Sequence, residues 1–150
     1  MEGAHQGYLF RMTSFLEHLN VTSTDVAATV AFLQTAMPEF CIRGEGHDGS
    51  ARYWVHLGTD TTYLAIEDRG ATEKGPHEPY IHPGVNHMGF VVSDVAAVAE
   101  RMRAAGYREG MTDLDHPHRH RHYFFDQDDN EYEFVEYLSD QVSERNDYAL

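Results

Sequence analysis

The sequence predicts an α+β domain in which two βαβββ modules form a curved mixed sheet around a central cavity. The main observation is a repeat: HLNVTSTDVAATVAFLQTAM begins at His18, and HMGFVVSDVAAVAERMRAAG begins at His87. In both copies the histidine stands seven residues before an Asp-Val-Ala-Ala run. Strand-like alternation precedes that run and helical periodicity follows it, so each copy has the pattern of one supersecondary unit.

In module one, residues 15–21 alternate apolar and polar side chains and predict a strand. The polar residues 22–24 are candidate N-caps for a helix. Apolar residues spaced three and four apart indicate that this helix has one buried face, and Pro38 ends it. Residues 51–57 and 61–67 predict two further strands, which a glycine-containing turn joins.

Module two repeats this order of elements. Residues 85–92 predict its first strand, and Ser93 is the candidate N-cap of the following helix. The helix is predicted over residues 94–105, and Gly106 ends it. Three further strands are predicted over residues 107–110, 119–126 and 132–138.

The chain length suits a single domain with short flanking segments. The domain is predicted over residues 14–140. Its parts and flanks are an N-terminal extension over 1–13, module one over 14–68, a polar linker over 69–84, module two over 85–140 and a polar tail over 141–150.

The composition indicates a folded, acidic protein. Hydrophobic residues make up 41% of the chain and the formal net charge is −14. This charge argues against nucleic acid or an anionic membrane as the main partner, because both require a basic face. The sequence has neither a membrane-length apolar run nor a signal-peptide pattern, so we expect a cytoplasmic location. The single cysteine, Cys41, is expected to be a small core residue.

The most specific motif is HYFFDQDDNEYEFVEYLSD, over residues 122–140. With the repeat, it resembles the vicinal oxygen chelate superfamily, which includes glyoxalase I, extradiol dioxygenases, fosfomycin-modifying enzymes and bleomycin-binding proteins. The family turn is close to Asp-Pro-Asp-Gly-Asn. Here Gln127 and Asp129 replace its Pro and Gly, so Asp129 is expected to tolerate a positive φ angle.

The resemblance implies a divalent metal bound by His18, His87 and Glu133. Two imidazoles and a carboxylate leave coordination positions open and suit Fe, Mn, Ni or Zn. A fourth family ligand lies on the last strand of module one, where Ala65 aligns with the usual carboxylate. Glu67 is two residues further on the same face, and a local bulge could bring it to the metal.

Further roles follow from the resemblance. Tyr123 is expected to face the substrate as a hydrogen-bond donor, with Tyr123 or Glu67 assisting proton transfer. The expected substrate contacts are Arg121, Tyr53, His56 and Phe125. Alternation places the histidines of the run His116–His122 on the face away from the cavity, where we expect a solvated edge.

Two functions are compatible with the sequence. The first is a metal-dependent enzyme, either a lyase or isomerase or a dioxygenase, that chelates a small substrate through adjacent oxygens. The second is a metal-free drug-binding protein of the bleomycin-resistance type, whose acidic charge would suit a cationic ligand. A homodimer is implied in both cases, with modules paired within a chain or between chains. The substrate, the reaction and the choice of metal stay open.

Overall fold

The computed structural model describes residues 14–49 and 53–149, and the predicted extension over residues 1–13 lies outside them. Module one contains β1 His18–Thr22, α1 Val26–Ala36, β2 Cys41–His47, β3 Tyr53–Gly58 and β4 Tyr63–Glu67. Module two contains β5 His87–Val91, α2 Val95–Ala104, β6 Arg108–Asp113, β7 Arg119–Phe125 and β8 Glu131–Tyr137, and a short helix α3 Val142–Arg145 follows.

Each module forms its own four-stranded mixed sheet, so the predicted pair of βαβββ units is confirmed. The strand orders are β1-β4-β3-β2 and β5-β8-β7-β6. In each sheet the first strand pairs in parallel with the last, and the other neighbours are antiparallel. The two copies therefore share topology as well as sequence.

The Asp-Val-Ala-Ala run starts both helices. Asp25 is the N-cap of α1 and accepts a hydrogen bond from the Ala28 amide, while Asp94 does the same for α2 with the Ala97 amide. The expected caps at residues 22–24 and at Ser93 are therefore wrong by one to three positions. Ser, Thr and Asp are all good N-caps, so composition alone does not choose between neighbours.

Strand β2 was not located from the sequence, because its residues CIRGEGH lack apolar alternation. Cys41, at its start, is exposed, so the expectation of a core cysteine is wrong. One edge strand of each sheet, β2 in module one and β6 in module two, has an irregular register. The shift in β2 falls between Ile42 and Gly44, and that in β6 falls between Glu109 and Thr112.

The helices and the inner faces of both sheets share one hydrophobic core. Phe32 of α1 is fully buried, and its ring lies 4.8 Å from Tyr107 and 4.9 Å from Tyr132, both in module two. Arg101 of α2 donates hydrogen bonds to two carbonyls at the end of α1. Packing across the junction thus holds the two modules together within the chain.

A polar contact adds to this junction. The Asp128 carboxylate, in the turn between β7 and β8, accepts hydrogen bonds from the Ser23 hydroxyl and the Thr24 amide. Gln127 donates to the Ser23 and Thr29 hydroxyls. The altered family turn therefore contacts the residues just before α1 and in its first turn. Asp129 has a φ of 57°, as expected where the family has Gly.

The histidine run and the C-terminal tail pack against each other. His116 is buried and contacts the Asp147 carbonyl, and Arg119 donates to the Arg145 carbonyl. His122 is buried on the helix-facing side of β7 and contacts Glu109 at 3.0 Å. The expectation of a solvated histidine edge is therefore wrong at His116 and His122, because a loop, a strand and the tail cover them.

Within the described residues, no helix is long and apolar enough to cross a membrane.

Glu109 gives an acid dependence of stability that can be measured. Hydrogen bonds from Arg103 and His122 hold the pKa of Glu109 below its ordinary value of 4.5. A depressed folded-state pKa stabilises the protein above pH 4.5, and this contribution is lost as the pH falls through the folded-state value. Urea unfolding at several pH values should show a shallower acid decline for Glu109→Gln than for wild type. Glu100→Gln, at an exposed site on α2, is the control, and equal slopes in all three would contradict the assignment.

Candidate functional site

Strand alternation gives module two a face that is turned away from its helix. Phe124, Tyr132 and Phe134 point into the core, so the residues between them on β7 and β8 lie on the other side. We call this surface the module-two face; it carries His87, Arg121, Tyr123, Phe125, Glu131 and Glu133.

His87 and Glu133 form the closest pair of metal-type donors on this face. The His87 Nε2 atom lies 3.1 Å from Glu133 Oε2. Gly89 pairs directly with Glu133 in the register, two residues after His87, and a Cβ at this position would make an ordinary 3.7 Å contact with the Glu133 carboxylate. Metal bonds of about 2.0–2.2 Å, at angles of roughly 90–110°, place two donor atoms about 2.8–3.6 Å apart. The spacing and chemistry of the pair therefore fit two ligands of one divalent ion.

Tyr123 stands directly opposite Glu133 in the β7–β8 pairing. Its side chain is buried, and its ring lies edge-on to His87 at 5.5 Å. Burial, and then the neighbouring Glu133 carboxylate, raise the pKa of Tyr123 to about 12. The phenol therefore keeps its proton at neutral pH and can act as a hydrogen-bond donor beside the pair.

Arg121 lies next along β7 on the same face. Its guanidinium donates a hydrogen bond to Asp113, and its Nη1 atom lies 3.9 Å from Glu133 Oε1. Its Nε atom is buried and has no hydrogen-bond partner among residues 14–49 and 53–149. Phe125, at the end of the strand, lies under the guanidinium of Arg108, 3.7 Å from its ring centre. Arg121 and Phe125, two of the four predicted substrate contacts, are thus on the module-two face.

The structure adds two residues that the sequence did not single out. The Tyr80 hydroxyl, from the linker, donates to Glu131 at 2.5 Å and lies 2.9 Å from His87 Nδ1. Although Tyr80 as a residue is 62% exposed, partial desolvation of its hydroxyl, followed by the bond to Glu131, raises the pKa of Tyr80 well above its ordinary value, so the phenol keeps its proton. Glu131 could have been found by alternation, since it lies two residues before Glu133. No periodicity points to Tyr80.

Module one presents a matching face with different residues. The rings of His18, Tyr63, His56 and Trp54 follow one another at 4.8, 4.8 and 4.9 Å. The Trp54 ring lies over strand β2, where a Cβ on Gly46 would come within 3.2 Å of it. This surface, the module-one face, is therefore a row of aromatic rings rather than a cluster of donors.

Of two further predicted residues, Tyr53 is placed differently from the expectation, whereas Glu67 lies on the expected face of its strand. Tyr53 packs against the core and donates a hydrogen bond to Glu45, so it lies on the opposite side of β3 from His56. Residues an odd number of positions apart on a strand point to opposite faces. Glu67 is buried on the module-one face and pairs with Arg69 at 2.9 Å. The register matches Asn20 with Ala65 as it matches Gly89 with Glu133, which supports the alignment of Ala65 with the family carboxylate.

His18 is not part of the His87–Glu133 pair. Its Nδ1 atom contacts Glu17 at 3.0 Å, although His18 and His87 both line a cavity of ≈ 570 Å³ between the modules. Across the described parts of the chain, no three His, Cys, Asp or Glu side chains form a group that could hold a metal ion. Folding of one chain therefore assembles two of the three expected ligands.

Comparison with solved structures supports the fold. A glyoxylase/bleomycin resistance protein/dioxygenase domain from Frankia sp. EAN1pec superposes with a TM-score of 0.67 at 18% identity, covering 84% of this chain and 99% of that one. The fosfomycin resistance protein FosX from Listeria monocytogenes, in complex with Mn(II) and sulfate, superposes with a TM-score of 0.66 at 22% identity, covering 89% and 98%. FosX from Mesorhizobium loti gives 0.66 at 19% identity, again covering 89% and 98%.

At identities of 18–22%, these comparisons show similarity of fold alone. The family assignment rests on the sequence. No curated protein shows significant similarity to the chain. The sequence profile of the Glyoxalase/Bleomycin resistance protein/Dioxygenase superfamily matches residues 15–134, nearly the whole described domain. The chain therefore belongs to the Glyoxalase/Bleomycin resistance protein/Dioxygenase superfamily.

Proposed function

We propose that the protein is a divalent-metal-dependent enzyme whose active site lies on the module-two face. The 3.1 Å approach of His87 Nε2 to Glu133 Oε2 carries this proposal, because the two atoms have the spacing of neighbouring ligands. The ion would be Fe, Mn, Ni or Zn, and the Mn(II)-bound FosX structure supports a metal of this class. Bound there, it would polarise adjacent oxygens of a small substrate and stabilise negative charge on them.

The surrounding side chains suit such a substrate. Tyr123 holds a proton beside the pair and donates it in a hydrogen bond to a substrate oxygen. Arg121 is fixed by Asp113, and its cationic group lies on the same face, where it attracts an anionic part of the substrate. Proton transfer during the reaction is assigned to Tyr123 or to Glu67 from the module-one face.

The third ligand requires a second copy of the chain. Since His18 lies apart from the pair within one chain, we propose a cytoplasmic homodimer in which His18 of one copy completes the site of the other. The module-one face then covers the module-two face of the partner and encloses the substrate between them. Glu67 belongs to this covering surface, as a possible fourth ligand or as a proton acceptor.

Elemental analysis of protein purified without chelators tests the metal. Wild type is expected to hold about one divalent ion per chain, and Glu133→Ala is expected to lose it, because a carboxylate ligand supplies both charge and a bond. Glu100→Ala, at an exposed site on α2, controls for a general loss of acidic charge. A wild type that neither holds nor takes up metal would contradict the proposal.

Mixed dimers test the sharing of the site. His18→Ala and Glu133→Ala chains, co-expressed with different tags, each lack one ligand. The hybrid contains one complete site if His18 is supplied across the dimer, so it should bind about one ion per dimer while both parent dimers bind none tightly. A hybrid as empty as its parents would contradict the shared site.

The second candidate is a metal-free binder of cationic drugs. The net charge of −14 and the row of rings on the module-one face favour it, because aromatic faces attract cations. The same metal titration separates the two candidates. Drug binding by a protein that takes up no metal would support the binder.

A further inference from the structure

We propose that Tyr80 and Glu131 form a positioning relay that fixes which nitrogen of His87 faces the metal. This inference rests on the proposed metal site and assigns a role to two residues outside it. The relay runs from Glu131 Oε2 through the Tyr80 hydroxyl to His87 Nδ1, at 2.5 and 2.9 Å. Neither residue is a ligand in the proposed site.

The direction of the relay follows from counting protons. A carboxylate only accepts hydrogen bonds, so the single proton of the Tyr80 hydroxyl goes to Glu131, the closer and charged acceptor. The Tyr80 oxygen can then only accept from His87, which places a proton on Nδ1. In the neutral ring the lone pair is left on Nε2, the atom that lies 3.1 Å from Glu133. The relay therefore prepares Nε2 for a cation.

The linker is built to hold Tyr80 in this place. Tyr80 has a φ of 66°, which is unfavourable for a residue with a large side chain. Its amide donates to the Asn86 side chain at 2.7 Å, and His77 Nε2 contacts the Val85 carbonyl at 2.9 Å. A Cβ on Gly84 would come within 2.5 Å of His77. The loop therefore accepts a strained backbone where the tyrosine hydroxyl reaches the histidine.

Module one provides the contrast. Its equivalent histidine, His18, contacts the exposed neighbour Glu17, and the register position of Glu131 is taken by Tyr63, which stacks on the His18 ring. Of the two module histidines, only His87 has beside it a buried carboxylate, a bridging phenol and a loop that is held by its own hydrogen bonds. This asymmetry is expected if His87 requires orientation within its own chain.

Zinc affinity, measured by competition with a chromophoric chelator, tests the relay. Tyr80→Phe and Glu131→Gln should each weaken zinc binding about 10–100-fold, the usual effect of losing a partner of a ligating histidine. The double variant should be weakened little more than either single one, because the two residues act through one hydrogen-bond chain. Tyr148→Phe, which removes the hydroxyl of an 80% exposed tyrosine in the C-terminal tail, is the control and should leave affinity unchanged.

Nitrogen-15 NMR of histidine-labelled, zinc-loaded protein gives a second readout. The His87 Nδ1 proton should be visible and slow to exchange in wild type, and it should exchange rapidly in Tyr80→Phe. If zinc binding depends on Glu133 but Tyr80→Phe changes neither affinity nor exchange, the relay is wrong while the metal site stands. A wild type that binds no zinc would overturn the metal site and the relay together.

Discussion

Replacing His87 with alanine is expected to weaken divalent metal binding roughly a hundredfold or more. A four-ligand zinc site is worth about 10–16 kcal/mol, so each ligand contributes a few kcal/mol, and each 1.4 kcal/mol is about a factor of ten. His87 is also the proposed ligand that lies beside Glu133 in the same chain, so its loss affects the proposed site before any partner is considered. Titration with Zn²⁺ or Mn²⁺ on metal-free protein measures the change.

His47→Ala is the matched control for this variant. His47 lies at the end of the outer strand β2, where its ring is 5.1 Å from Tyr53 on the side away from the module-one face. Its removal takes away one imidazole without touching the proposed site. If His87→Ala kept the affinity and stoichiometry of the control, His87 would be removed from the ligand set.

Replacing Phe32 with alanine is expected to lower the free energy of unfolding by about 3–5 kcal/mol, the usual cost of truncating a fully buried phenylalanine. The ring packs on Tyr107 and Tyr132, so the resulting cavity lies between the modules and neither module can close it alone. For a domain whose total stability is about 5–15 kcal/mol, this is a large fraction. Urea unfolding followed by circular dichroism measures it.

Phe15→Ala is the control for Phe32→Ala, because Phe15 is 46% exposed. Its truncation should change the free energy of unfolding by less than about 0.5 kcal/mol, as is usual for surface positions. A Phe32→Ala variant as stable as the control would mean that the modules do not depend on this contact. A change confined to one of two unfolding transitions would mean that the modules unfold separately.

Much of the fold can be predicted from the sequence because both copies of the repeat carry the same order of strands and helix. Where one copy is ambiguous, the other has clearer periodicity, and the strand before each Asp-Val-Ala-Ala run is set by alternation. Strand β2 is the exception: its glycines lie under the Trp54 ring and carry no apolar pattern of their own. The intrinsic strand propensity of residues cannot predict a strand whose glycines are required by the packing of a neighbouring side chain.

The candidate site was predictable where it depends on strand periodicity. Alternation places Arg121 and Tyr123 on one face of β7, and it also shows that Tyr53 and His56 cannot share a face of β3. Glu133, on the neighbouring strand, follows from the family motif. The contribution of Tyr80 was not predictable, because a linker has no period and its path depends on backbone strain and side-chain contacts. The separation of His18 from His87 could not be predicted either, because a sequence repeat does not determine how its two copies are placed relative to each other.

The register shifts in β2 and β6 have a consequence for the behaviour of the protein at high concentration. Each of them is one of the two edge strands of its sheet, β1 and β5 being the others. A regular edge strand offers a row of unpaired N–H and C=O groups to which another chain can add. A bulge twists the strand and interrupts that row. Growth of ordered fibrils from these borders is thereby discouraged, and the acidic net charge adds mutual repulsion between molecules.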